Sequence, residues 1–313
     1  MAAIEFSTEF LAEESEPPPL TPLQMAWQRF RRHKMAMFGA LLLIAIVLYI
    51  TIGSVFFSEA DANRTDLTIK LSPPSWLHPF GTDLAGRDIL ARTIYGGQIS
   101  IIIGILAVVV SIVIGVLIGA AAGFYGGVVD SILMRFTEAM FNIPQLLLLI
   151  VLAKFFGGKM PAFQFLGRSF SGSVVMIVGV IGLTSWMYLA RIVRANFLSL
   201  KEQEFVTAAY CVGARNAALI FRHILPNTVA PIIVAATLDV ANAILSEAYV
   251  SFLGLGVQPP TATWGNMLDQ AYHHLDTEPW MWFFPGMLIL LTVLGINFLG
   301  DGLRDALDPR SRR

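Results

Sequence analysis

Residues 99–125 read ISIIIGILAVVVSIVIGVLIGAAAGFY, 27 positions without one charged side chain. A helix needs roughly 20 apolar residues to cross the hydrocarbon core of a bilayer. A helix that is apolar on every side is buried in a large core or in lipid. Five further stretches share this character, at 35–57, 132–156, 173–193, 228–253 and 281–300. Residues 35–57 are also free of charge, whereas Arg135, Glu138 and Pro144 interrupt 132–156. The expected fold is therefore an all-α membrane protein with six transmembrane helices. The 313-residue composition agrees, being 56% hydrophobic and only 14% charged. Ordinary soluble domains carry about 25% charged residues. A soluble enzyme is excluded, and the formal net charge of −1 leaves no basic surface for nucleic acid. Cys211 is the single cysteine, so no disulfide forms within the chain.

Charge placement sets the expected direction of the spans. With an inside N-terminus, the inside segments hold 14 of the 21 Lys and Arg residues, and both termini are expected in the cytoplasm. Residues 1–20 carry Glu5, Glu9, Glu13, Glu14 and Glu16 before any basic residue, then Pro17, Pro18 and Pro19. They read as a disordered cytoplasmic tail, not a secretory signal. Thr21-Pro22-Leu23-Gln24 carries the marks of a helix start with a capping box. The helix it opens sets Trp27 and Phe30 beside Arg29, Arg31, Arg32 and Lys34, a pattern suited to the membrane surface. The longest stretch between spans, 58–98, has 41 residues, too few for an ATPase domain. The Gly158-Lys159 pair is followed by Met160 and has Ala153 where a phosphate-binding loop needs its first glycine. A pump of this kind draws on an ion gradient or on a separate ATPase.

Residues 194–227, RANFLSLKEQEFVTAAYCVGARNAALIFRHILPN, form the most informative connection. Ala208 and Ala209 offer a small-residue surface, and Gly213 permits a sharp turn. Ile220, Phe221 and Ile224 offer a second apolar face, and Pro226 is expected to stop that short helix and can begin the next one. The stretch reads as helix–turn–helix with a helix free to lie in a groove of another protein, or as an ordinary connecting loop.

Ala208-Ala209-x3-Gly213, with Leu225-Pro226 after eleven intervening residues, resembles the ATPase-docking loop of binding-protein-dependent ABC importer permeases. The chain departs from that pattern at Thr207, where the family has Glu, and at His223, where it has Ile. Glu204, one turn earlier, is the candidate acidic contact. The resemblance extends through His78-Pro79-Phe80-Gly81-Thr82-Asp83, Gly86-Arg87-Asp88, Leu245-Ser246-Glu247-Ala248, Ser251-Phe252-Leu253-Gly254-Leu255-Gly256, Pro259-Pro260, Trp264-Gly265 and the end from Gly300 to Arg310. These segments are similar to the dipeptide, oligopeptide and nickel importers, and the basic segment before the first span is similar to their C-type permease. The resemblance implies a division into a peptide-permease extension over 21–98 and a permease domain over 99–313. It implies a homologous B-type permease, two cytoplasmic ABC ATPases that bind ATP and magnesium, an extracytoplasmic solute-binding protein, and a bacterial or archaeal plasma membrane. The chain itself would carry no cofactor and no catalytic residue. Short peptides are the first choice of cargo, with nickel or another solute of the class as the alternative. A stand-alone gradient-driven transporter is the rival from outside the family.

Asp239, Asn242 and Glu247 fall inside the fifth span, where ionised groups are costly and face a cavity or a partner. They are candidates for the translocation path, with structural pairing as the alternative for Glu247. Gly115, Gly119 and Gly123 make two successive G-x-x-x-G repeats that let another helix approach closely, inside the bundle as the favoured reading or at the seam with a partner permease. Arg135 and Glu138 are spaced to pair with one another. His273-His274-x-Asp276 makes a poor chelate, because adjacent histidines project to different sides. Trp264, Tyr272, Trp280 and Trp282 suggest an interfacial aromatic belt.

Overall fold

The computed structural model describes residues 21–161, 163–165 and 168–307. The acidic stretch 1–20 and the closing Asp308-Pro309-Arg310 lie outside the described residues. Thr21 and Gln24 form the expected capping box at the head of α1, Pro22–Arg32. His33 ends α1 and caps the next helix, its Nδ1 accepting from the Ala36 N–H at 3.0 Å. That helix is α2, Lys34–Phe56, followed by the short α3, Glu59–Asn63, and the long α4, Ile89–Tyr125. Then come α5, Gly127–Phe141, and α6, Gln145–Phe156, followed by a small antiparallel pair, β1 Phe163–Phe165 and β2 Arg168–Phe170. The helices α7, Gly172–Lys201, and α8, Glu204–Cys211, lead to α9, Asn216–Ala218, and α10, Leu225–Phe252. Trp264–Ala271 is α11 and Trp280–Leu307 is α12.

Five helical runs are long and apolar enough to span a bilayer: α2, α4, α7, Asn216–Phe252 and α12. The sixth expected span is a bent pair, with α5 and α6 meeting at 85° across Asn142-Ile143-Pro144. Pro144 lacks the N–H that would continue the ladder and disfavours a helical conformation in Ile143.

The densest packing joins α4 to α7. An ideal Cβ on Gly115 would stand 3.0 Å from the Trp186 carbonyl oxygen, on Gly119 2.4 Å from that of Ala190, and on Gly123 2.8 Å from that of Arg194. The three glycines are internal packing positions, spaced by four against partners also spaced by four. Because both series rise together, α4 and α7 run parallel. The chain between them must therefore return along the length of the pair, and α5 and α6 make that return. Residues 36 and 302 meet at the other seam, where a Cβ on Gly302 would lie 2.1 Å from the Ala36 Cβ. His33 and Asp305 stand 3.5 Å apart there. Pro22 and Leu307 thus share one face, and the alternation of helices places the 202–215 connection on it too.

On the opposite face the 58–88 segment folds over the ends of α4, α11 and α12. Asp83 takes the Arg87 guanidinium at 2.6 Å, and Arg87 also donates to Gln270 at 2.8 Å. Phe80 stacks on Phe284 with ring centroids 3.8 Å apart. The expected aromatic belt is only partly present. Tyr272 and Trp282 are exposed, but Trp264 is wholly buried and donates from its ring nitrogen to the Thr93 carbonyl at 2.9 Å. The indole fills the gap left by Gly97, whose ideal Cβ would stand 2.5 Å from it.

Candidate functional site

The connection between α7 and α10 is built outward from a helix end. Lys201 closes α7 and donates to the Phe124 carbonyl at 2.6 Å, so a cation satisfies an orphan acceptor at the C-terminal end of α4. α8 follows after one turn. Val206 and Ala209 point inward and pack with Phe124, Phe197, Leu219 and Ile224. Glu204, Phe205, Thr207, Ala208, Tyr210 and Cys211 are exposed. The helix stops in a Schellman closure: the Gly213 N–H bonds the Tyr210 carbonyl at 2.9 Å and the Ala214 N–H that of Ala209 at 3.1 Å. This closure needs a left-handed residue, and Gly213 supplies φ +89° with open space around its α-carbon. Val212, 85% exposed, is pushed out at the tip.

The second helix departs from the sequence reading in two ways. Pro226 does not stop it. Helix runs from Asn216 to Phe252, with a π-turn over Leu219–Ile224 in which the Leu225 N–H reaches the Ile220 carbonyl. The widened turn shifts the bonding register just ahead of the proline, whose missing donor then no longer breaks the rod. Nor do Ile220, Phe221 and Ile224 form one outward face. Ile224 is buried, Ile220 packs against the same cluster, and Phe221 alone projects outward. Positions 220 and 224 are one turn apart, and 221 is about 100° round from 220. His223 and Leu225 are half-buried and Pro226 is exposed. Ala208 and Ala209 are likewise divided between surface and core.

Beside α8 lies an open cavity of about 410 Å³, lined by Phe124, Tyr125, Lys201, Val206, Thr207, Tyr210, Asn216 and Leu219. Asp130, one turn into α5, receives Arg194 of α7 at 2.5 and 2.6 Å through two guanidinium nitrogens. Sequence reading singled out neither this pair nor Lys201. The available signal was position: Asp130 is the first charge after the 99–125 run, and Arg194 and Lys201 mark the end of the 173–193 run at the same depth. Arg135 and Glu138 form no ion pair with each other; both side chains are exposed.

The path candidates do not come together. Asp239 is half-buried and accepts from the Ser111 hydroxyl at 3.2 Å, next to a small crevice bounded by Ser185, Tyr188 and Leu189. Asn242, one turn on, is exposed. Glu247 has no exposed surface. It accepts from Ser100 at 3.1 Å and Ser251 at 2.7 Å. Those hydroxyls accept in turn from the Trp264 N–H at 3.2 Å and the Val257 N–H at 3.2 Å. The carboxylate thereby joins α10, α4 and the loop leading to α11. His274 pairs with Glu278 at 2.6 Å, and His273 sits edge-on to Tyr272. Among the described residues, no three His, Cys, Asp or Glu side chains gather closely enough to hold a metal.

The amino-acid sequence matches known proteins over nearly its whole length. Residues 111–313 match the model of the binding-protein-dependent transport system inner membrane component, and residues 21–74 that of the N-terminal transmembrane domain of oligopeptide transport permease C. A putative peptide permease protein of Brucella suis is 43% identical over 300 residues, covering 95% of this chain and 94% of the relative. The oligopeptide transport system permease protein OppC of Bacillus subtilis is 41% identical over 302 residues, covering 96% and 94%. The dipeptide transport system permease protein DppC of the same organism is 40% identical over 303 residues, covering 96% and 90%. With helices fit to span a bilayer several times and these matches along its length, the chain belongs to the binding-protein-dependent transport system inner membrane component family.

Proposed function

We propose that this chain is the C-type permease of an ABC importer for short peptides, and that it contributes one side of the path while separate subunits hydrolyse ATP. The observation that carries the reading is the turn at Gly213. A short helix presents an exposed outer surface, while Val206 and Ala209 on its inner side join a buried cluster with Phe124 of α4 and Phe197 of α7. Such an element can receive a push from a partner and pass it to two membrane helices. The names of the relatives supply the peptide cargo.

Six crossings, with α5 and α6 together as one, fit the parallel packing of α4 and α7. The docking face carries Arg191, Arg194, Lys201, Arg215 and Arg222, together with Arg29, Arg31, Arg32 and Arg304. The positive-inside rule makes that face cytoplasmic, and the ends at Pro22 and Leu307 with it. One of two ATPases then meets Glu204, Thr207, Ala208, Gly213 and Phe221 from below, the other meets the partner permease, and the pair holds ATP and magnesium in its own sites. The homologous B-type permease completes the path beside Asp239 and Asn242, and the solute-binding protein delivers cargo from the opposite side. Glu247 serves as a structural tie in this scheme.

Replacing Gly213 with valine tests the reading in the reconstituted complex. A β-branched residue in the left-handed region costs about 1–2 kcal/mol or more, and the open surroundings add no clash. The expected outcome is normal membrane assembly with loss of binding-protein-stimulated ATPase activity. Full stimulation in this variant overturns the docking role.

A further inference from the structure

We propose that Trp76 and Leu77 form a second membrane contact, an outer anchor that enters the headgroup region of the bilayer beside the end of α2. Trp76 is 103% exposed and Leu77 86%. They are the two central residues of a tight turn closed by the Ser75 N–H to the His78 carbonyl at 2.9 Å, with the Ser75 hydroxyl accepting from the His78 N–H at 3.1 Å. The turn is uncharged from Leu71 to Leu77 and carries Pro73 and Pro74 before the tip.

The position of the tip is set by a chain of contacts. His78 Nδ1 meets the Asp88 carboxylate at 2.6 Å, and the other oxygen of Asp88 caps α4 by accepting from the Ala91 N–H at 2.9 Å. The first turns of α4 lie level with the end of α2. An ideal Cβ on Gly53 would stand 2.6 Å from the Ile94 side chain, and the Tyr95 hydroxyl donates to the Phe57 carbonyl at 2.9 Å. Leu77 and His78 therefore share a cavity of about 500 Å³ with Phe56 and Phe57.

The occupant follows from continuity. Leu41, Ile44, Leu48, Ile52, Val55 and Phe56 are exposed along α2, and a helix of this length with no charge after Lys34 presents such a surface to lipid. Leu77 extends that surface by one side chain past the end of the helix. Tryptophan beside it is the residue that favours the boundary between hydrocarbon and headgroups, where its ring is shielded and its N–H stays hydrated. The 58–88 segment then touches the membrane at its tip as well as where it leaves α2, which fixes the outer cap against rotation about that helix.

Environment-sensitive labelling tests the anchor in the complete complex in phosphatidylcholine–phosphatidylglycerol vesicles. With Cys211 replaced by Ala, an NBD label is placed at Trp76→Cys and, separately, at Leu77→Cys. Val55→Cys is the lipid reference and Thr65→Cys the water reference. Spin-labelled lipids with a shallow nitroxide should quench both tip labels several-fold more than aqueous iodide does, as at position 55. Quenching dominated by iodide at both tip positions overturns the proposal. So does shielding that arises only when the solute-binding protein is added, which would assign the tip to a protein contact. Should one tip variant fail to assemble, the other carries the same measurement.

Discussion

A single methyl group at Gly119 should separate the two helices next to the Gly213 turn. In Gly119→Ala the new Cβ would sit 2.4 Å from the Ala190 carbonyl oxygen, 2.8 Å from the Val193 Cβ and 3.1 Å from the Arg194 nitrogen. Two of these atoms are backbone, so no rotamer change relieves the contact. Restoring ordinary separations near 3.5 Å requires the seam to open by about 1 Å. Overpacking of this kind costs about 1–3 kcal/mol. Alanine recovers about 1 kcal/mol through its higher helix propensity, which leaves a net loss of up to about 2 kcal/mol. Gly179 provides the control, since it lies on α7 and an ideal Cβ there meets nothing within 4 Å. Gly179→Ala keeps only the propensity gain and should be neutral or slightly stabilising.

The two variants are best compared by unfolding the purified chain with increasing mole fractions of SDS in mixed micelles, followed by tryptophan fluorescence. Gly119→Ala should unfold earlier than the unmodified chain and Gly179→Ala no earlier. In the assembled complex, Gly119→Ala should also lower stimulated ATPase activity, because the ends of α4 and α7 that carry α8 no longer keep their spacing. Equal stability of the two variants would refute the reasoning, since it would show that the seam yields at no cost.

Two further outcomes follow from polar contacts. Glu247→Ala leaves the buried hydroxyls of Ser100 and Ser251 without their acceptor, and an unsatisfied buried group costs about 1–3 kcal/mol. Glu247→Gln keeps one acceptor oxygen and should be milder; altered transport with unchanged SDS unfolding in both variants would instead place the residue in the path. Lys201→Met removes an exposed cation from the Phe124 carbonyl, so its effect on stability should stay within about 1 kcal/mol. It should lower stimulated ATPase activity in vesicles, and full coupling would show that the tie from the end of α7 to α4 is not needed for it.

Much of this was legible from residue order because lipid imposes a simple rule. A charge-free run such as 99–125 has few alternatives, and the spans at 35–57 and 281–300 fall within two residues of the starts of α2 and α12. The limit of a span is less legible, since nothing in composition separates the buried helix from its extension into water. Hence α4 begins at Ile89 and runs without a break through the expected division at 98/99. Pro226 shows a different limit. Proline removes a donor in any helix, but whether the helix ends depends on the bonding register before it, and the π-turn at Leu219–Ile224 is a tertiary outcome. Glu247 and Trp264 were read as separate features because their meeting through Ser100 joins positions 147 and 164 residues apart from that serine.

The length of α4 gives these contacts a common consequence. Its 37 residues make a rod of about 55 Å, longer than the roughly 30 Å hydrocarbon core. At one end Asp88 caps it and binds the 58–88 segment through His78. At the other, its last carbonyls receive Lys201 and its side chains pack with α8. Between them, the glycine seam locks it to α7 backbone against backbone. A displacement of α8 is not taken up by a flexible linker alone, because Val206 and Ala209 share one buried cluster with Phe197 of α7, Phe124 of α4 and the Leu219–Ile224 turn. It must move the seam, and the seam reaches the outer cap as a continuous helix. The polar ties at Asp83–Arg87–Gln270 and Ser100–Glu247 then carry the movement from α4 to α11 and α10. Under the proposed function, coupling across the membrane would need no chain of small rearrangements; one stiff pair of helices with polar anchors at both ends would be enough.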